Sequence, residues 1–129
     1  LNITQKLLQY INDNITGELT AQKVAKELGI SPYYLSHIFS SQLNISFPSY
    51  VAQQRMILAC NLLKDSRKTV TEISYECGFP NMRTFHRCFQ KRYECTPTQW
   101  RERSHKGTDE KIRHQLWNQE KVESENSLE

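Results

Sequence analysis

Two stretches of this sequence, 31–42 and 81–93, concentrate polar side chains at helical spacing. On a wheel of 3.6 residues per turn, each stretch has an apolar side and a polar side. The polar positions are Tyr33, Ser36, His37 and Ser40 in the first stretch and Arg83, His86, Arg87 and Gln90 in the second. Hydroxyl, imidazole, amide and guanidinium groups match the donors and acceptors that base pairs display in the major groove of DNA, which admits an α-helix. The pattern therefore predicts two DNA recognition helices.

The second stretch carries the stronger base-reading chemistry. The Arg83 guanidinium can donate two hydrogen bonds to guanine O6 and N7, although contact with phosphate alone is the alternative. His86 can donate to a base edge or a phosphate, or be an ordinary surface histidine. Arg87 can reach DNA, or it can brace the fold through a carboxylate such as that of Glu76. We rank Arg83 first among the predicted base contacts.

Two residues near the start of the second helix, Met82 and Thr84, complete its predicted DNA contacts. The Thr84 hydroxyl and the backbone amides at both helix starts are natural phosphate ligands, because a helix N-terminus carries partial positive charge.

The first stretch offers a different chemistry. The Tyr33 hydroxyl can reach a phosphate and its ring can contact a thymine methyl group, while the Ser36 hydroxyl can donate or accept. None of the polar positions in this stretch is Arg or Lys. We therefore expect the second stretch to supply the larger share of the electrostatic affinity for DNA.

Local signals predict where the surrounding helices begin and end. Thr20 and Ser31 are good N-cap residues, and Gly29 suits a left-handed turn between two helices. The same arrangement returns as Thr69 and Gly78, displaced by 49 residues, and the polar stretch that follows is displaced by 50. This repeat predicts a tandem helix-turn-helix.

Between the two units, an apolar pattern over 48–64 predicts a connecting helix of roughly 25 Å. The expected architecture is all-α with about seven helices, in which the first unit covers about 3–46 and the second about 69–103. The polar tail, 104–129, is expected to be disordered or a marginal helix. Successive major grooves recur every ~34 Å on one face of DNA, a distance that the connector and the two units together can span.

The charge of the chain is uneven. Residues 1–104 hold 13 Lys and Arg against 8 Asp and Glu, whereas residues 105–129 hold 4 against 6. A basic folded part is typical of a protein that binds phosphate. No apolar run approaches the ~18 residues of a membrane span, so we expect a soluble, cytoplasmic protein without a membrane partner. Because the chain begins with Leu1, we interpret it as a fragment of a longer protein.

The four cysteines occupy apolar positions of helical patterns and form no C-x-x-C pair. They are Cys60, Cys77, Cys88 and Cys95. We expect all four to be reduced and buried. Structural zinc sites normally contain close ligand pairs, so the spacing disfavours a metal site, and no cofactor is implied.

The second unit resembles the C-terminal signature of the AraC/XylS family of bacterial transcriptional regulators. The resemblance is carried by Ile73, Gly78, Phe79, Phe85, Arg87, Phe89, Lys91, Thr96, Pro97 and Arg101. The first unit and the connector fit the pattern at Ala25, Ser31, Leu35, Phe39, Tyr50, Arg55, Ala59, Leu62 and Leu63. Three positions depart from it, because Glu94 stands where glycine is common, Ser74 where alanine is frequent and Trp100 where tyrosine is frequent.

This resemblance implies a sequence-specific transcription factor that binds double-stranded promoter DNA. Its two helix-turn-helix units, joined by a long helix, would occupy successive major-groove segments. A sensing or receiver domain outside this chain and RNA polymerase are the further partners that the resemblance implies for the full-length protein.

Three other functions are alternatives to this one. An enzyme is disfavoured, because the sequence has no phosphate-binding glycine loop, no paired carboxylates on a helix and no nucleophile with a recognisable base. A helical protein-interaction module is disfavoured by the basic positions Arg83, Arg87, Lys91 and Arg92. Non-specific DNA binding remains open, and a ratio of site to random affinity near one would favour it.

Overall fold

The computed structural model describes residues 1–105. The α-helices with defined ends are α1 (Ile3–Asp13), α2 (Ala21–Leu28), α3 (Pro32–Ile38), α4 (Phe47–Asp65), α5 (Val70–Glu76) and α6 (Met82–Tyr93). Residues 97–105 form a further helix, α7. The described residues contain no strand, so the predicted all-α class with two helix-turn-helix units is confirmed. Residues 104 and 105, predicted as tail, belong to α7, and the rest of the predicted tail lies outside the described residues.

Side chains cap the helix starts at the predicted places. The hydroxyls of Thr20 and Ser31 each accept a hydrogen bond from the amide three residues later, at 3.1 and 3.0 Å. Thr69 forms a capping box with Glu72, in which each side chain accepts from the backbone amide of the other residue at 3.1 Å. Since such a cap contributes about 1 kcal/mol, short polar signals fix these boundaries locally.

Left-handed residues end corresponding helices in the two units. Gly29 and Gly78 have φ of 69° and 90°, and Asn44 and Glu94 have φ of 53° and 57°. The first pair is separated by 49 residues and the second by 50, so the sequence repeat is also a repeat of backbone conformation. Glu94 adopts the left-handed turn although it is not glycine, at a cost of about 1–2 kcal/mol.

The sequence predicts a continuous α-helix to Gln42 in the first recognition stretch, and this prediction is wrong. A π-helical turn, Phe39–Leu43, follows α3. The hydroxyls of Ser40 and Ser41 both donate to the carbonyl oxygen of His37, at 3.2 and 2.6 Å. This is the oxygen that the Ser41 amide would use in a regular α-helix. Side-chain competition for it therefore accounts for the wider turn.

The protein has one hydrophobic core in each unit. The first core is drawn from residues 7–51 and consists of Leu7, Ile11, Val24, Ala25, Leu35, Ile38, Phe39, Phe47 and Val51. The second is drawn from residues 56–95 and consists of Met56, Ala59, Leu63, Ile73, Cys77, Phe79, Phe85, Phe89 and Cys95. Helix α4 contributes its N-terminal half to the first core and its C-terminal half to the second. It is the predicted connector, with one extra residue at each end.

Two cysteines predicted to be buried and one residue of the apolar connector pattern are more exposed than predicted. Ile57 is 43% exposed, because its neighbour Met56 takes the inward direction of α4. Cys88 is only half-buried, since it lies at the edge of the apolar side of α6, whose centre is formed by Phe85 and Phe89. Cys60 is also half-buried, while all four cysteines are free thiols as expected.

Arginine side chains fasten the end of the first helix of each unit to a later helix. In the first unit, Arg55 of α4 donates to the carbonyl oxygens of Ile15 at 2.9 Å and Gly17 at 2.7 Å, just after α1. In the second unit, Arg101 of α7 donates to those of Leu63 at 2.9 Å and Lys68 at 2.7 Å, at the end of α4. These arginines satisfy carbonyl groups in the last turn of a helix or in the segment that follows it.

Candidate nucleic-acid interface

The first polar set lies on one exposed side of α3 and the following turn. We call Tyr33, Ser36, His37 and Ser40 the first stripe. Leu35 and Ile38 are completely buried on the opposite side and anchor the helix, while Tyr33 is 82% exposed. All four stripe residues line one open groove, together with residues at the start of α4. The structure therefore brings together the whole predicted set of the first unit.

The first stripe contains no Arg or Lys, and its hydroxyl groups differ in the hydrogen bonds that they can offer. The hydroxyl proton of Ser40 is directed at the His37 carbonyl oxygen, so this side chain presents oxygen lone pairs outward. Ser36 makes no such hydrogen bond within residues 1–105 and remains free to donate or accept. The Tyr33 and His37 rings are stacked at a centroid distance of 6.5 Å. Their flat surface suits a base edge or a thymine methyl group.

The second polar set lies on α6 at equivalent positions. We call Arg83, His86, Arg87 and Gln90 the second stripe, and all four are exposed. The Asn81 side chain caps the helix by accepting from the Thr84 amide at 2.8 Å. Each member of the second stripe follows its counterpart in the first by 50 residues. The two units therefore present the same four helix positions with different chemistry.

No carboxylate in the described part of the chain pairs with the arginines of the second stripe. Within residues 1–105 the only ion pair joins Lys68 and Glu76, at 2.5 Å. The alternative role of Arg87, bracing the fold through Glu76, is therefore not observed. An exposed guanidinium without a carboxylate partner retains its full capacity to bind phosphate or guanine.

Two predicted contacts on α6 lie apart from the stripe. Met82 is half-buried and packs against the second core. Thr84 is half-buried and lines a cleft between the two units, together with Cys88 and residues of α4. Helical spacing alone did not separate them from the stripe, because their partial burial depends on how α6 packs against its neighbours. Both remain predicted DNA contacts, with less free surface than the stripe.

Lys91 and Arg92 occupy the last turn of α6. Lys91 is exposed and stands 50 residues after Ser41, so it continues the second stripe by one more position. The Arg92 guanidinium lies 5.8 Å from the centroid of the Tyr93 ring, in a cation–π contact. A helical wheel places Arg92 about 180° from Arg83, so the two arginines face different sides of α6.

Two kinds of site are absent from residues 1–105. The structure contains no cluster of three or more His, Cys, Asp or Glu side chains that could hold a metal ion. Helix α4 is the longest described, and neither it nor any other helix in this region is long and apolar enough to cross a membrane.

The sequence profile of the helix-turn-helix domain family matches residues 24–103. The regulatory protein SoxS of Escherichia coli K12 is 30% identical over 101 residues, which are 78% of this chain and 94% of SoxS. An uncharacterized HTH-type transcriptional regulator of the same organism, YijO, is 35% identical over 107 residues. These are 83% of this chain but only 38% of YijO.

A similar solved structure is that of the DNA-binding domain of AdpA, a global transcriptional factor, in complex with a target DNA. It superposes with a TM-score of 0.75 over 79% of this chain and 92% of that domain. At 18% sequence identity, this likeness establishes a shared fold.

Proposed function

This chain belongs to the AraC-type family of helix-turn-helix transcription regulators, which bind DNA sequence-specifically, and we propose that α3 and α6 are its two recognition helices. In this proposal the two stripes lie in successive major-groove segments on one face of promoter DNA. Arg83, Arg87 and Gln90 read base edges through donors, and Tyr33 contacts a thymine methyl group. His86, Thr84 and the helix N-termini contribute phosphate contacts.

The observation that carries the proposal is the positional match of the two stripes. Four exposed positions recur at a spacing of 50 residues, each on a helix whose opposite side is buried and whose start is capped by a side chain. A protein-interaction module does not require the same four helix positions to be polar and exposed in both units. The second stripe adds two arginines that have no ion-pair partner among residues 1–105, and these suit an anionic partner.

The parts of the regulator outside this chain are also matters of proposal. The chain spans 38% of YijO but 94% of SoxS, so relatives of both lengths exist. We propose a longer parent protein with a sensing or receiver domain, contact between that parent and RNA polymerase, and a cytoplasmic location. The proposal assigns DNA binding and no catalysis to this chain.

The test is selection of bound sequences from a random duplex library, followed by titration of the selected site and a scrambled duplex at two salt concentrations. We expect two short motifs about one helical turn apart and a preference of 10³-fold or more over the scrambled duplex. One enriched motif would mean that a single helix reads bases. No enrichment, with binding that disappears in salt, would leave a non-specific basic surface and refute the proposal.

A further inference from the structure

The two units have separate cores, so their relative orientation must be fixed by contacts outside those cores. Among residues 1–105, no buried residue is shared between the two cores, because the first ends at Val51 of α4 and the second begins at Met56. Arg55 lies in the interval between them. The angle between the stripes therefore depends on the rigidity of α4 and on contacts that cross from one unit to the other.

Arg55 makes the contact on the side of the first unit. Its Nε and Nη2 atoms donate to the carbonyl oxygens of Ile15 and Gly17, at 2.9 and 2.7 Å. The side chain is half-buried, and this burial lowers the pKa of the guanidinium. Two charge-assisted hydrogen bonds from one planar group hold it in a single orientation and fasten the 15–17 loop to α4.

Gly78 of the second unit lies directly beside Ile15 and Arg55. It is the left-handed turn residue between α5 and α6. A Cβ atom on Gly78 would lie 2.9 Å from the Ile15 carbonyl oxygen and 3.1 Å from Arg55 Nε. The first distance is closer than side-chain carbons tolerate, so the second unit approaches this closely only because the residue is glycine.

We infer that Arg55, the 15–17 loop and Gly78 form a junction that sets the angle between the two units and thereby the base-pair spacing at which both stripes bind. The inference rests on the proposed function. Each base pair moves the next motif by ~3.4 Å and rotates it by about a tenth of a turn. Two linked units gain affinity only where their geometry lets both engage at once. Arg55 is a positioning residue, which touches no DNA.

The first test measures affinity against spacing. Duplexes carry the two selected motifs with the spacer lengthened or shortened by one base pair at a time. For the wild-type chain we expect one optimal spacer and a loss of about 10- to 100-fold when it changes by two base pairs. For Arg55→Gln we expect weaker binding at the optimum and a dependence on spacing of less than about 3-fold, because freely moving units adapt to several spacers.

Arg101→Gln is the matched control. Arg101 likewise donates to backbone carbonyl oxygens, but its three acceptors, in Leu63, Ser66 and Lys68, lie at the end of α4 and in the turn before α5. Its loss should reduce stability and leave the optimal spacer unchanged. Arg55→Lys retains the charge without the planar guanidinium, and its dependence of affinity on spacing should lie between those of wild type and Arg55→Gln. It replaces Arg55→Gln in the test if Arg55→Gln does not fold. A wild-type spacing profile in a folded Arg55 variant would overturn the inference.

The second test needs no DNA. Cys88 is half-buried and lines the two clefts between α6 and the first unit, beside Ile45 and Leu19 respectively. Its alkylation rate by iodoacetamide, resolved by peptide mass spectrometry, reports how far the units separate. We expect a faster rate in Arg55→Gln and a wild-type rate in Arg101→Gln.

Equal Cys88 rates in wild type and in Arg55→Gln would refute the junction, whatever the chain does with DNA. A wild-type chain without site preference would instead refute the proposed function, and the Cys88 rate alone would then decide whether the junction exists.

Discussion

The rings of Tyr33 and His37 lie nearly parallel, with an interplanar angle of 13° and centroids 6.5 Å apart. Tyr33 is otherwise largely free, since 82% of it is exposed. Both side chains are exposed members of the first stripe, so the two rings can present one aromatic surface to a base.

We predict that Tyr33→Ala lowers the preference for thymine in the first motif by about tenfold, the lower part of the 1–3 kcal/mol range for a base contact. Tyr33→Phe retains the ring and should keep the preference. The measurement is affinity for duplexes with thymine or uracil at each position, because uracil lacks only the methyl group. An equal loss of affinity for both duplexes in Tyr33→Ala would show that the ring does not contact this methyl.

Arg83→Ala should reduce discrimination at one guanine of the second motif by about 1–3 kcal/mol. Arg92→Ala removes the same charge from the same helix, yet Arg92 lies over the Tyr93 ring and should leave discrimination intact. Titration of the selected site and its single-base variants at several salt concentrations separates the two effects. If Arg83 meets only phosphate, its variant will weaken all duplexes equally and reduce the salt slope by about one.

Ser74→Ala should stabilise the protein. The Ser74 hydroxyl is completely buried and has no hydrogen-bond partner among residues 1–105, and the first unit has Ala25 at the equivalent position, 49 residues earlier. Removing an unsatisfied buried hydroxyl should raise the free energy of unfolding by about 1 kcal/mol or more. Urea denaturation measures this change. The reciprocal variant, Ala25→Ser, should be destabilised. Unchanged stability in both variants would contradict the inference that a buried hydroxyl at this position destabilises the protein.

The stability of the protein should fall in strong alkali. Burial, reinforced by the nearby Glu76, raises the pKa of the Cys77 thiol from 9.0 to about 12. Between these values the unfolded chain loses this proton while the folded protein keeps it, so rising pH favours unfolding. The stabilisation is complete below about pH 9 and decreases up to about pH 12, by at most about 1.4 kcal/mol per pH unit.

The Cys77→Ala variant tests the origin of this pH dependence. It should be less stable at pH 7, because it leaves a cavity. Its free energy of unfolding should nevertheless decline less steeply above pH 9 than that of the wild type. Cys60, whose thiol pKa is also raised by burial, retains its contribution in the variant. Equal slopes in urea titrations from pH 8 to 11 would exclude Cys77 as the cause.

Much of the fold was predictable because its signals are local. The caps at Thr20, Ser31 and Thr69 and the left-handed Gly29 each act within a few residues, and the structure confirms all four. The exposed sides of α3 and α6 follow equally from helical spacing. The candidate site was therefore largely readable from the sequence, whereas its contacts with DNA remain predictions.

Features that depend on distant contacts were not predictable in this way. The carbonyl partners of Arg55 lie 40 and 38 residues earlier, so no local pattern links them. The half-burial of Met82 and Thr84 depends on the packing of α6 against the second core and across the cleft. The π-helical turn after α3 was missed for a different reason: its hydrogen bonds are local, but they depend on which hydroxyl rotamers Ser40 and Ser41 adopt, and residue type does not determine these.

Helix α4 also sets the order in which the two units can fold. Every buried residue of the first core lies within 7–51, whereas the second core takes Met56, Ala59 and Leu63 from α4. During synthesis, the first unit can close its core as soon as the N-terminal half of α4 leaves the ribosome. The second unit can then build on a helix that is already formed. A chain cut before α4 would lack the α4 residues of both cores, whereas a chain cut after α4 would retain the complete first core.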